Sequence, residues 1–163
     1  MKPIRRALHV FLPLIAAGCL RTGGSTVLVE NGFAGTWQLN REQSDIPPVT
    51  KSQVLVIETD GVFVKMRETL VNDKGETLRI LVDGTFDGHD YPVSGTPFAD
   101  TVSYRLLTPN TIEGVAKKNA IVIVKETAVL SDDGKTIRVT YVSFDGEGNS
   151  LTSHGVFERV EVR

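Results

Sequence analysis

Histidine is the side chain best suited to acid–base chemistry near neutral pH, and beyond residue 18 the chain has two, His89 and His154, far apart in sequence. His89-Asp90 has the composition of a general base with an orienting carboxylate. Successive residues on a strand or turn point apart, however, so the pair is poorly built to act together. No Gly-x-Ser-x-Gly elbow marks a nucleophilic serine, and Cys19 is the only thiol. Both histidines read as surface polar residues, no catalytic residue is assigned, and the chain is not expected to be an enzyme. Metal chemistry has two acidic stretches to draw on, Asp83 to Asp90 and Asp145-Gly146-Glu147-Gly148-Asn149, whose spacing could hold Ca²⁺. Neither fits an EF-hand loop: the second lacks glycine at its sixth position and has Val156 where the bidentate glutamate belongs. Repeated Asp-Gly reads instead as turn chemistry. There is no zinc pattern and no phosphate-cradling glycine loop, so no metal and no cofactor is expected.

Binding chemistry is the better lead. Tyr104, Lys125 and Tyr141 are polar residues set among alternating apolar positions, and an inward lysine without a partner is too costly to be kept for packing alone. On a shared interior wall the lysine could anchor the carboxylate of an apolar ligand, with the tyrosines beside it. The other reading is that the tyrosines fill space left by Gly114 and Gly155 while Lys125 snorkels to a rim. The strands that carry these residues decide between the two.

From Phe33 onward the pattern has period two, broken at short intervals by Asp-Gly, Asn and Pro, with no long stretch of helical periodicity. Strands are predicted near 33–40, 53–59, 62–70, 77–86, 101–107, 111–118, 121–130, 136–144 and 151–161. Tight turns make successive strands neighbours, and a series of this length avoids open edges by closing. The expected fold is all-β, a single up-and-down antiparallel barrel of about 8–10 strands.

Turn chemistry then sets the register. An Asp60-Gly61 turn puts Leu55, Ile57, Val62, Val64, Met66 and Leu70 on one face. With Gly75 left-handed, Leu78, Ile80 and Val82 join them, while Glu58, Lys65, Arg67, Thr69 and Arg79 take the outside. Further on, Tyr104 faces Gly114 and Val102 faces Ala116, and an Asn119-Ala120 turn sets Gly114 against Lys125. Read as a three-residue loop, Asp132-Asp133-Gly134 sets Lys125 against Tyr141, and the inward row becomes Tyr104, Gly114, Lys125, Tyr141, Gly155. A two-residue Asp133-Gly134 turn would instead set Glu126 against Tyr141 and send Lys125 outward. The three-residue loop is expected because it gives Gly134 a left-handed bulge position and keeps Ile121, Ile123 and Val129 inward.

Gly35-Thr36-Trp37 resembles the Gly-x-Trp of the first strand in lipocalin-like (calycin-type) barrels, and Arg159 in the last strand resembles the late arginine that stacks on that tryptophan. The resemblance covers roughly residues 33 to 161 and implies that Trp37 and Arg159 close one end of the barrel. Two departures stand out. Residues 41–52, with Pro47-Pro48, are too few for the helix-turn-helix lid of fatty-acid-binding proteins, and no helix follows the last strand. The Arg-x-Tyr anchor of fatty-acid-binding proteins is also missing, since Arg138 and Tyr141 are three apart. The stretch from Phe86 to Pro97 looks like one recurring in small bacterial exported lipocalin-like proteins.

Residues 1–18 read as a signal peptide: Lys2, Arg5 and Arg6 precede an apolar run, Val10 to Ala17, too short for the ~20 residues a membrane span takes. Ala16-Ala17-Gly18-Cys19 resembles a bacterial lipobox, which implies lipidation at Cys19 and an anchor in the outer membrane on the periplasmic side. Ordinary signal cleavage and secretion remain the alternative. Residues 19–32 read as a tether and 33–163 as the barrel domain. Loss of the three leader charges takes the formal charge from −2 to −5, which argues against a nucleic-acid partner. The expected function is a non-catalytic exported barrel holding a small apolar or amphipathic ligand, with an acid group if Lys125 anchors it. The alternative is an envelope structural or interaction lipoprotein with a filled barrel.

Overall fold

The structure, a computed structural model, describes residues 32–161. The stretches read as a signal peptide and, up to residue 31, as a tether, with Cys19, lie outside the described residues. Ten strands follow one another: β1 (Gly35–Leu39), β2 (Thr50–Thr59), β3 (Phe63–Asn72), β4 (Thr77–Thr85), β5 (Tyr91–Ser94), β6 (Thr101–Thr108), β7 (Thr111–Lys118), β8 (Ile121–Leu130), β9 (Thr136–Phe144) and β10 (Ser150–Arg159). Each pairs antiparallel with the next, and β1 pairs with β10, so the sheet closes into an up-and-down barrel. No helix occurs among the described residues. Closure leaves no open edge, and the segment between β1 and β2 runs beside β10 through an Asp45–His154 bridge.

Apolar residues face in and charged residues face out. Leu55, Ile57, Val64 and Val82 are buried in the core, while Glu58 pairs with Arg67 and Lys65 lies 4.0 Å from Asp83 on the outside. The Asp and Asn residues of the turns accept backbone N–H groups. Asp60 takes those of Val62 and Phe63, and Asp145 takes those of Glu147 and Asn149. For Asp145 the Asn149 side-chain amide, which donates to it at 2.8 Å, comes first and the backbone groups follow; for Asp60 the backbone groups act, and both carboxylates are held below their ordinary range, as turn chemistry requires.

Four expectations of detail are corrected. The β2–β3 turn is longer than Asp60-Gly61 alone: Thr59 pairs with Val64, two positions on, so the inward set survives while Val62 is 69% exposed. β5 falls in a stretch that reads as loop, because it is four residues long and contains Pro92, which cannot donate to a ladder. Gly155 pairs with Val139, not Tyr141, although its position still faces the Tyr141 ring. The fourth change concerns β8. The Asn119-Ala120 turn forms with both residues at positive φ and pairs Lys118 with Ile121, but a bulge at Ile123 then shifts the ladder so that Ala116 meets Val124 and Gly114 meets Glu126. At the other end of β8 the pairing is Leu130 with Ile137 and Glu126 with Tyr141, the register of the two-residue alternative. The connection itself is longer, closed by Ser131 N–H to the Thr136 carbonyl, with Gly134 left-handed at φ +67°. Both changes move the same strand by one residue, and together they exchange its faces.

Candidate functional site

One end of the barrel is sealed. Trp37 is 0% exposed, its Nε1 donates to the Phe33 carbonyl at 2.9 Å, and the Arg159 guanidinium lies 4.1 Å from its ring centroid. Trp37 and Arg159 are direct cross-strand partners. Arg159 also donates to the carbonyls of Gly134, Ala34 and Gly32, at 2.7, 2.7 and 2.5 Å, so a planar five-donor group stitches the chain start to the β8–β9 loop. A Cβ on Gly35 would collide with Arg159, which is the physical content of glycine before this tryptophan.

Above this plug the barrel is hollow. The cavity has a volume of about 700 Å³ and its walls are mainly apolar, with Leu55, Ile57, Val82, Ile112 and Val139 among them. It reaches the chain segments at the opposite end, where Val49, Asn72, Glu76 and the run Thr96 to Ala99 line the mouth. Phe98, 67% exposed, stands there.

Besides Glu76 at the mouth, two carboxylates face into this apolar space. Glu126 on β8 and Glu68 on β3 are five strands apart either way round the ring, hence on opposite walls. Their remaining accessible surface lies on the cavity, and protein otherwise surrounds them. Burial pushes Glu68 up to about 7, against a hydrogen bond from Gln53 Nε2 at 2.8 Å. Burial also pushes Glu126 up to about 7, and the Glu68 charge adds to it. Glu126 has no hydrogen-bond partner among the described residues. It lies flat across Gly114, whose absent side chain provides the room: a Cβ there would collide with the Glu126 carboxylate.

Tyr104 and Tyr141 face the same cavity. Burial pushes both phenols well above their ordinary value, and the charges of Glu126 and Glu68 push them further; both stay neutral donors. Tyr104 Oη reaches Met66 Sδ at 3.9 Å. The inward row is therefore Tyr104, Gly114, Glu126, Tyr141, and the reading of Lys125 as its ligand anchor is corrected. Lys125 is exposed on the outer wall, paired with Val142, its Nζ 5.9 Å from the Phe144 ring centroid. The bulge at Ile123 is the cause. The structure thus brings two of the three expected binding residues together and supplies an acid where a base was expected. Among the described residues no Lys, Arg or His lines the cavity.

The histidines are occupied elsewhere. His89 Nδ1 lies 3.0 Å from Asp87, while Asp90 is held by Lys117 at 2.8 Å. His154 Nδ1 lies 3.3 Å from Thr140 Oγ1. Among the described residues no cluster of three His, Cys, Asp or Glu is placed to hold a metal ion.

The closed antiparallel up-and-down barrel, apolar inside and charged outside, plugged at one end by a Trp–Arg stack and hollow above it, has the architecture that the resemblance to lipocalin-like barrels implies. No family model matches the sequence. Phosphoribosylformylglycinamidine cyclo-ligase of Desulfatibacillum aliphaticivorans is 38% identical over 109 residues, which is 60% of this chain. The chain spans 29% of that protein's length, and so partial a match assigns neither family nor activity. Among solved structures, EF1p2_mFAP2b bound to DFHBI aligns with a TM-score of 0.42 at 11% identity, covering 79% of this chain and 94% of its own. Apocrustacyanin C1 aligns with a TM-score of 0.42 at 16% identity, covering 83% of this chain and 64% of its own. Superpositions this loose assign no ligand.

Proposed function

We propose that this protein is a non-catalytic binding module that holds one small, largely apolar molecule inside its barrel. The observation that carries the reading is the cavity of about 700 Å³, within the ~300–1,000 Å³ range of small-molecule sites and lined, as such sites are, by apolar walls with few polar groups. A barrel filled with side chains, which the structural or interaction reading requires, would leave no such space. The engagement of both histidines outside the cavity supports a role without catalysis.

Native mass spectrometry of protein purified from its own host should show a co-purifying lipid-sized mass at one-to-one stoichiometry. Ala116→Phe, which adds a ring to the cavity wall, should abolish it while the fold persists. A wild-type protein free of ligand, and unable to take up any apolar probe at one-to-one stoichiometry, would contradict the reading.

The leader suggests where such a protein works. Export with lipidation at Cys19 would place the barrel at the periplasmic face of an outer membrane, since several acyl chains at ~0.8 kcal/mol per buried methylene hold permanently; secretion after ordinary cleavage is the second reading. Cys19→Ala should move the mature protein from membrane to soluble fractions. Unchanged membrane association would count against the anchor.

A further inference from the structure

We propose that the cavity selects a ligand bearing a protonated amine on an apolar body, the ammonium seated on Glu126 between Tyr104 and Tyr141, with Glu68 facing it from the opposite wall. The proposal rests on the reading of the barrel as a ligand-binding module and names the class of ligand. Its basis is geometric. Among the described residues the apolar cavity is lined by no Lys, Arg or His and by three glutamates, Glu76 at the mouth and Glu68 and Glu126 deeper within. One of these, Glu126, is half-buried with its accessible surface on the cavity, lacks a hydrogen-bond partner among the described residues and lies in a seat that Gly114 leaves open. A buried carboxylate left without a partner is costly; a cation entering the cavity supplies the missing one. Glu68 already has Gln53, which makes Glu126 the primary seat. An acidic ligand would bring a further carboxylate into the same low-dielectric space, where like charges repel strongly. The occupant is a cation of organic size, because the rest of the wall offers hydrocarbon for its body to cover.

The groups facing Glu126 are Tyr104 from β6, Tyr141 from β9 and Glu68 from β3. Both phenols remain neutral donors, so the carboxylates alone titrate in the physiological range. Below about 7 both are protonated in the ligand-free protein, and an ammonium must then displace a proton to bind. Affinity for an amine should therefore fall with acidification, and affinity for an alcohol of the same length should not.

Calorimetric titration with decylamine, decan-1-ol and decanoate at pH 8 tests this. At that pH an alkylamine is still protonated, as lysine is. Decylamine should bind one-to-one, about tenfold to a hundredfold tighter than decan-1-ol, since a hydrogen bond to a charged group is worth that much. Decanoate should be the weakest of the three. At pH 5.5 the decylamine affinity should drop about tenfold or more while that of decan-1-ol holds. Glu126→Gln, checked for folding by its thermal transition, should bind the alcohol and lose the preference for the amine. Glu68→Gln should lose less of it, and Lys125→Met, on the outer wall, none. Equal affinity for amine and alcohol, a preference for decanoate, or an amine preference that survives in Glu126→Gln would overturn the proposal and leave the binding-module reading standing. If none of the three bound, both would fall.

Discussion

Trp37→Ala should destabilise the barrel by about 3 to 5 kcal/mol, the range for removing a fully buried large aromatic side chain. In a domain of this size that lowers the melting temperature by roughly 10 to 20 °C. Three contacts go at once. The ring is wholly buried, it carries the bond from Nε1 to Phe33, and it is the surface on which the Arg159 guanidinium lies at 4.1 Å. Alanine would leave a void at the closed end of the barrel, with Arg159 stretched over it and unable to leave because three carbonyls hold it. Trp37→Phe should recover most of the packing but not the bond to Phe33, and should fall between the two. Thermal unfolding followed by circular dichroism is the check, and a loss below about 1 kcal/mol would mean that the Trp–Arg stack does not close the barrel.

Glu126→Gln should have the opposite sign. A carboxyl raised from 4.5 to about 7 by burial binds its proton more tightly in the folded than in the unfolded chain. Between those two values the native state therefore holds more protons than the unfolded state, and stability falls as pH rises through the window. Below 4.5 both states are protonated and nothing is lost; above 7 the full penalty is present. Ligand-free wild-type protein should accordingly be most stable on the acid side of neutrality and lose stability between pH 4.5 and 7, apart from whatever the surface aspartates do at lower pH. The neutral isostere removes the contribution of Glu126. At pH 8 it should be more stable than wild type by about 2 kcal/mol, since a tenfold change in proton affinity is worth about 1.4 kcal/mol and part of the rise belongs to the pair with Glu68. At pH 4 the two proteins should be nearly equal. Denaturant unfolding at the two pH values reads this directly, and a variant less stable than wild type at pH 8 would mean that Glu126 has a stabilising partner.

The barrel and its closed end are legible in the sequence because both rest on short-range signals. Period-two alternation and Asp-Gly turns define nine of the ten strands, and the tryptophan and the late arginine stand at the two chain ends that closure must join. β5 is hidden because four residues with a proline give no alternation to read. The site fails to emerge for a different reason: its chemistry depends on the parity of one strand. On β8 both parities begin with apolar residues, Ile121 and Ile123 against Val122 and Val124, so local pattern does not choose between them. The bulge at Ile123 puts both Ile123 and Val124 against the cavity and then fixes the even positions inward. A weak signal was there. Beyond the bulge, Val124, Ala128 and Leu130 share their face with one polar residue, Glu126, whereas the odd face carries both Lys125 and Thr127. Glu68 was plainer still, standing between Met66 and Leu70 on a face already read as interior. Buried charge looks like surface charge in a sequence, and only the fixed register separates them.

Carbon-13 NMR titration of the glutamate side-chain carboxyls, in ligand-free protein and again with decylamine present, tests the whole account most directly. It reads register, burial and occupancy from the same nuclei. In ligand-free protein two carboxyls, assigned by Glu68→Gln and Glu126→Gln, should titrate near 7. Addition of decylamine should pull the Glu126 midpoint down by about one pH unit or more, because a bound cation favours the charged carboxylate. If neither Glu68 nor Glu126 titrated above the ordinary glutamate value of about 4.3, or if Glu126 kept its midpoint in a decylamine-bound protein, the inward carboxylate and the site built on it would be contradicted.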